Sequence, residues 1–444
     1  DDGSLWWVPS GRAFYSGDEG DSAAQEGTQA KQHFLLPQRY RDPFGQTTTI
    51  LYDDYDLLVV ETRDPVGNRT TAGERDSSGV LTVDGNDYRL LQPWCVMDAN
   101  RNRTHIAFDA LGMVVGTAAM GKPEETLGDS LAGFVTDLSD AVMLAHLDDP
   151  LGDPHAILGA ASSRMVYDLS AFQRSKAQPD PQPTRVYTLT RETHHADLGA
   201  GQQSKVQHSF SYSDGFSREI QQKIQAEAGP VPLRDESGAI ILGGDHLPEM
   251  TTAAVSPRWV GSGWAVFNNK GKTIRQFEPF FTDRHAYEFS IRIGVSSVLF
   301  YDPLGRSIAA LHPDHTWEKA AFDAWEQTSW DAGDTTLIAN PADDSHVGDF
   351  FRRLPQAEYL PTWHQQRVDG TSGTDAQTAA IRSEAYADTP TRICFDSLGR
   401  AFVTFVLNRT LRDGVAQDET YISRIELDIE GNQRSISDAL GRVV

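Results

Sequence analysis

An aromatic-Asp-x-x-Gly phrase returns again and again along this 444-residue chain. It reads Phe108-Asp109-Ala110-Leu111-Gly112, then Tyr301-Asp302-Pro303-Leu304-Gly305-Arg306, then Phe395-Asp396-Ser397-Leu398-Gly399-Arg400. A looser copy is Leu427-Asp428-Ile429-Glu430-Gly431-Asn432, and Asp438-Ala439-Leu440-Gly441-Arg442 follows it. Asp42-Pro43-Phe44-Gly45 and Asp64-Pro65-Val66-Gly67 lack the aromatic residue. One such tetrapeptide is an ordinary surface turn. Several with matched flanks are a repeat, and a repeat constrains the fold to stacked units.

The chemistry of the phrase is that of a turn. An Asp carboxylate bonds backbone N–H groups two residues on, and Gly takes positive φ without a steric penalty. Pro stands second in three copies, where its fixed φ suits a type I or II turn. The flanks at 48–62 and 421–428 are rich in Ile, Val, Tyr and Thr, as strands are. Asp53 to Asp64 and Asp98 to Asp109 are eleven residues apart, and Asp428 to Asp438 ten, the spacing of successive β-hairpins in one continuing sheet. The aromatic residues Tyr52, Phe108, Tyr301 and Phe395 are expected to stack between neighbouring hairpins.

The fold class that follows is mainly β: a curved antiparallel sheet of repeated hairpins with helical insertions. A repeat sheet also accommodates a length beyond one ordinary compact domain, because each unit packs mainly on its neighbours. Residues 1–32 read as a flexible N-terminal segment, with the polar GDEGDSAAQEGTQ stretch as a mobile loop. Residues 33–121 form a first β block. In 122–163 a helical insertion is expected, opened by Pro123 and carrying Leu127, Leu131, Phe134, Leu138, Val142 and Ala145 at three- and four-residue steps. Residues 164–340 form a second β block, with 177–184 an exposed Pro-rich loop and 228–257 loop-like. A second helical insertion spans 341–389, with helices near 344–360 and 374–386, and 390–444 return to β-repeat. The start at Asp1 without Met or signal peptide, and the stop in mid-repeat at Val444, read as a segment of something longer.

Composition excludes some functions. A net charge of -24 opposes binding to nucleic acid or an anionic membrane. No run of 18 apolar residues exists. Cys95 and Cys394 are the only cysteines and show no metal spacing. Asp98-Ala99-Asn100-Arg101-Asn102 starts like a calcium loop, but Arg103 stands where an EF-hand needs Gly. His194-His195 would face opposite sides of a strand, and His312-Pro313-Asp314-His315 lacks further ligands nearby. No nucleophile elbow or phosphate loop occurs. The residues thus offer no catalytic, metal or cofactor set, and a scaffold is the reading.

Longer phrases carry a resemblance. Arg39–Gly45 (RYRDPFG), 55–60 (YDLLVV), 86–98 (NDYRLLQPWCVMD), 207–231, 258–281, 300–306 and 421–444, with the Tyr-Asp pairs at Tyr52, Tyr167 and Tyr301, are similar to the RHS/YD-repeat superfamily. They look most like the middle to C-terminal part of the B component of bacterial ABC-type (Tc) insecticidal toxin complexes. The resemblance implies a secreted, non-catalytic β-sheet shell. In that family the shell is built by B with the C component, whose cytotoxic part is the cargo. The A component, the translocation channel, docks through a β-propeller that is not evident here, though residues 1–32 stand where such a propeller would end. An alternative is a YD-repeat cell-surface adhesion module, with Trp6-Trp7, Trp317, Trp325 and Trp330 stacking on sugars.

Overall fold

The computed structural model describes residues 11–244, 247–412, 415–428 and 431–443. It is mainly β, with two large antiparallel sheets of 15 and 10 strands and a two-stranded clip among the described residues. The hydrogen-bonded ladder is thus divided between two sheets. The chain separates into two units. The first is built chiefly from the chain up to Glu227, with Pro257–Trp259 and Asp283–Tyr287 added, and the second from the rest.

The first unit is an up-and-down meander. Arg12–Phe14, Arg39–Arg41, Thr47–Tyr52, Val59–Arg63 and Arg69–Arg75 pair in order. An excursion over 76–94 then intervenes before Cys95–Met97 returns to pair with Arg69–Arg75. Arg103–Phe108, Val114–Met120, Ser163–Asp168, Thr184–Arg191, Val206–Ser213 and Glu219–Ala226 continue the meander. In Ser163–Asp168 and Val206–Ser213, burial alternates residue by residue, the signature of a strand with one face on a core. Tyr187 lies directly opposite Phe210, and their rings stack at 4.6 Å. Phe210 also meets Tyr212 at 6.1 Å and the edge of Trp259 at 5.8 Å. The stacking rings are therefore these core residues. The Tyr-Asp tyrosines have a different partner, described below.

The second and third helices of the unit cover this aromatic ladder. Helix α1 is Ala23–Gln32, α2 is Asp140–Asp148 and α3 is Pro154–Leu158. Leu147 and Leu158 are fully buried in the same core as Tyr187, Phe210 and Trp259. The expected helix from Pro123 does not form. Gly128 and Gly133 take φ of +86° and +72°, which breaks any helix across them, and α2 starts only after its cap Ser139. Leu131, Phe134 and Leu138 still pack on the core, so the apolar spacing marked burial and not helix. The expected mobile loop before residue 32 contains α1. Ser22 and Gln25 form a reciprocal capping box, the signal overlooked in a polar stretch. Glu26 of α1 accepts N–H groups from Tyr15 and Ser16 and pairs with the buried Arg39 at 2.7 Å.

In the second unit Ala265–Phe267, Thr273–Gln276, Val298–Tyr301, Ser307–Leu311, Trp317–Phe322, Glu326–Trp330, Thr391–Phe395, Ala401–Arg412, Val415–Leu427 and Gln433–Ser437 pair in sequence order. Val298, Phe300, Ala309, Leu311 and Trp317 form one side of its core. Val347, Phe351 and Tyr359 from the 341–389 insertion form the other. That insertion contains short 3₁₀ turns, a one-turn helix Gly348–Phe351 and the longer Thr374–Glu384. A helix through 344–360 is stopped by Pro355. Among the described residues of 228–257 the β pairing is by single bridges, such as Gly229 to Val255 and Arg234 to Ile240.

Candidate functional site

The most distinctive local chemistry lies at the hairpin corners. At Asp302 the amide bonds to Arg306 O at 3.0 Å and Gly305 N–H returns to Asp302 O at 3.0 Å. Carboxylate oxygen Oδ1 accepts the amides of Leu304 and Arg306, both at 2.9 Å, and Oδ2 accepts Arg306 Nε at 2.7 Å. Gly305 sits at φ +83°, and the register slips by one residue beside the turn. This is a type I turn closed by a glycine bulge.

The same pair of backbone bonds occurs at Asp42/Gly45, Asp64/Gly67, Asp109/Gly112, Asp396/Gly399, Asp428/Gly431 and Asp438/Gly441. The glycine φ values run from +76° to +93°. A fifth position belongs to the unit. Arg400 and Arg442 bond the outer carboxylate oxygen through Nε, and Asn68 and Asn432 do so through the amide. These bonds hold several carboxyls below the usual carboxylate range. The leading cause is the Asn68 side chain for Asp64, the Arg400 amide for Asp396 and the Arg442 side chain for Asp438.

The corner also forms beyond these seven copies. Asp76 with Gly79, Asp235 with Gly238, and Asn268 with Gly271 make the same backbone bonds. Asp98, Asp214 and His312 do so with Arg101, Ser217 and His315 at the bulge, at φ of +69°, +60° and +66°. Asp98 is therefore a corner, bonded to Asn102, and not the head of a calcium loop. The third corner residue is apolar and exposed at Phe44, Val66, Leu111, Phe216, Leu304, Leu398 and Leu440.

The Tyr-Asp tyrosines lock hairpins through their hydroxyls. Tyr301 Oη donates to Thr273 O at 3.0 Å, Tyr167 Oη to Val114 O at 2.8 Å and Tyr52 Oη to Pro37 O at 3.4 Å. In each case the acceptor lies on or beside the preceding strand, so the residue expected to stack acts as a cross-strand tie. Phe108 and Phe395 occupy the equivalent places without a hydroxyl, both half-buried.

The remaining sequence candidates separate. His194 pairs with the buried Asp129 at 2.8 Å, and His195 contributes only its amide. His315 Nδ1 donates to Pro361 O, 2.7 Å away, and joins no metal-ligand group among the described residues. Trp317 is buried in the core, Trp330 lies under the Lys319 ammonium at 4.6 Å, and Trp325 is exposed. Trp6 and Trp7 fall outside the described residues.

Buried polar groups that the sequence did not announce include Arg164, which lies over the Phe134 ring at 4.3 Å and bonds the carbonyls of Ile157 and Val135. Burial pushes it down to about 10. It borders a cleft of about 370 Å³. His208, bonded to Tyr187 Oη at 2.6 Å, is pushed by burial to about 4. A third group joins Glu74, Cys95 and His105, whose ligand atoms all lie within 4.8 Å of one another.

No protein-family model and no curated protein matches the chain. Solved structures do match. The crystal structure of TcdB2-TccC3 aligns over 92% of this chain and 16% of its own, at TM-score 0.59 and 22% identity. TcdB2-TccC3 without its hypervariable C-terminal region aligns over 92% and 18%, at 0.59 and 21%. A Photorhabdus luminescens Tc holotoxin pore aligns over 91% and 18%, at 0.57 and 19%. The chain thus spans about a sixth of the chains it matches, and along nearly all of its own length it has the fold found in these Tc toxin structures.

Proposed function

We propose that this chain is a wall segment of a Tc-type toxin complex, a B-component-like stretch of β-sheet that helps enclose a cytotoxic polypeptide before translocation. The observation that carries this reading is the fold likeness to TcdB2-TccC3 and to the Tc holotoxin pore over more than nine-tenths of the chain. Its role is structural. The corners use their carboxylates to close turns, which leaves those groups committed to the scaffold. The apolar third residue of seven corners faces solvent in this chain, as suits a surface that is covered in a larger assembly. Partners on this reading are a C component, as second half of the shell and source of the cargo, and an A component that engages other parts of the B protein. The complex would act outside the producing cell. Among the described residues no helix is long and apolar enough to cross a membrane.

The test is protection. The complete protein is co-expressed with its candidate C component, and the complex is challenged with protease. A cargo segment that survives in the complex and is degraded when the shell is opened by denaturant supports the reading. A cargo that is folded and equally exposed with or without the protein would overturn it. The adhesion alternative retains little: of Trp317, Trp325 and Trp330 only Trp325 is well exposed. A glycan array decides it, with specific binding favouring adhesion.

A further inference from the structure

We propose that Glu74, Cys95 and His105 form a zinc site that clasps three neighbouring strands of the first unit. Glu74 lies on Arg69–Arg75, Cys95 on Cys95–Met97 and His105 on Arg103–Phe108, which are adjacent in the sheet. Cys95 and His105 stand directly opposite each other across the ladder. The carboxylate, thiol and imidazole atoms all come within 4.8 Å of one another, and His105 Nε2 is 3.4 Å from Glu74 Oε1. Two ligand atoms about 2.0–2.2 Å from one zinc ion at a tetrahedral angle are roughly 3.4 Å apart. The imidazole–carboxylate edge is therefore already at the required length, and the thiol needs only a small inward movement.

Further observations point to a ligand here. Cys95 is fully buried, and His105 Nε2 is buried with no well-formed hydrogen bond, its polar neighbour Glu74 Oε1 standing 3.4 Å away. A buried imidazole nitrogen without a hydrogen bond is costly, and a metal bond would satisfy it. The surroundings also hold the ligands in place. Arg103 Nη1 bonds Glu74 Oε1 at 2.8 Å and its Nε bonds Gly121 O at 2.9 Å, fixing the carboxylate. Trp94 meets the His105 ring edge-on at 5.3 Å. The backbone comes unusually close: a Cβ on Gly85 would lie 2.2 Å from Gly73 N and 2.5 Å from Cys95 O. The strand bearing the thiol is thus drawn tightly against its neighbours.

Thiolate with imidazole and carboxylate selects zinc over calcium or magnesium, which take oxygen ligands. Binding converts the Cys95 thiol to thiolate, with one proton released to solvent; thiolate and carboxylate face the ion while Arg103 stays paired with the carboxylate. Three protein ligands leave the fourth position to a water molecule. The clasp would pin both ends of the 76–94 excursion, which departs after Arg75, pairs back on that strand through Leu81–Asp84 and returns at Cys95.

The experiment is metal titration of the purified, chelator-stripped protein with zinc and with cobalt(II) as the spectroscopic probe. The expected result is one equivalent of zinc bound and a thiolate-to-cobalt charge-transfer band. Both are retained in Cys394→Ser and lost in Cys95→Ser and His105→Gln, and zinc raises the melting temperature of the parent but not of the two ligand variants. Absence of stoichiometric zinc and of the band from the parent protein would overturn the site, as would a band that vanishes in Cys394→Ser. Should the ligand variants fail to fold, the parent and Cys394→Ser decide the question alone.

Discussion

Gly305→Val tests whether the corners are held by backbone conformation or by space. Gly305 sits at φ +83°, and a Cβ there would meet only Lys272 Cε at 3.3 Å, the mobile end of a long side chain. Steric cost to neighbours is therefore small, and the penalty is the conformational one for an L-residue in the left-handed region, about 1–2 kcal/mol, at the upper end for a β-branched side chain. Because a chain of two units need not unfold in one step, the cleanest assay is local: hydrogen exchange of the Gly305 and Arg306 amides, bonded to Asp302 O and Oδ1. One to two kcal/mol raises the open population of the corner roughly 5- to 30-fold. Gly399→Val should behave alike, since φ is +76° and nothing lies within 4 Å of its Cβ. Gly263 is the contrast. A Cβ there would stand 1.9 Å from Phe277 O, so even Ala should cost more than Val at Gly305. Unchanged exchange at the Asp302 corner, or a milder effect at Gly263 than at Gly305, would refute the reasoning.

Tyr301→Phe removes the hydroxyl bond to Thr273 O and should cost about 1 kcal/mol in the denaturation of the second unit. Tyr167→Phe should do the same to the first unit. His208, pushed from 6.5 to about 4 by burial and secondarily by His155, stays neutral in the fold while the unfolded chain takes up a proton. The stability it contributes is complete above pH 6.5 and is lost as pH falls toward 4, by about 3 kcal/mol, so denaturation midpoints should decline across that window and flatten in His208→Gln. The double variant Gly305→Val with Gly399→Val should equal the sum of the singles to within about 0.5 kcal/mol, because the two corners share no bonding partner.

What could be read from the sequence is what local chemistry dictates. An Asp followed three residues later by Gly carries its own acceptor and its own left-handed position, so the Asp302 corner closes through bonds within its own turn. The reading was silent where a corner needs only one of these. Ser217 and His315 adopt positive φ without being glycine, because Asp214 and the His312 backbone close the turn around them. It failed where a pattern reports burial but not conformation. Leu131, Phe134 and Leu138 are spaced for a helix and do reach the core, yet Gly128 and Gly133 give the backbone between them an irregular path. The cluster of Glu74, Cys95 and His105 had no linear signature. A strand excursion separates the first two, and cross-strand register unites the last two.

These properties separate two kinds of order in the chain. The corners at Asp302, Asp396 and Asp438 close amide and carboxylate bonds within five residues, so such hairpins can be added to the ladder without reference to a central core. Each aromatic core is non-local and covered by an insertion: Tyr187, Phe210 and Trp259 need Leu147 and Leu158 from the helices, as Phe300 and Trp317 need Phe351 and Tyr359. The insertions are therefore what converts a self-propagating ribbon into a packed body. Removing 140–158 should expose the aromatic ladder while leaving the corners at Asp42 and Asp64 closed, since those corners draw every bond described here from their own turn.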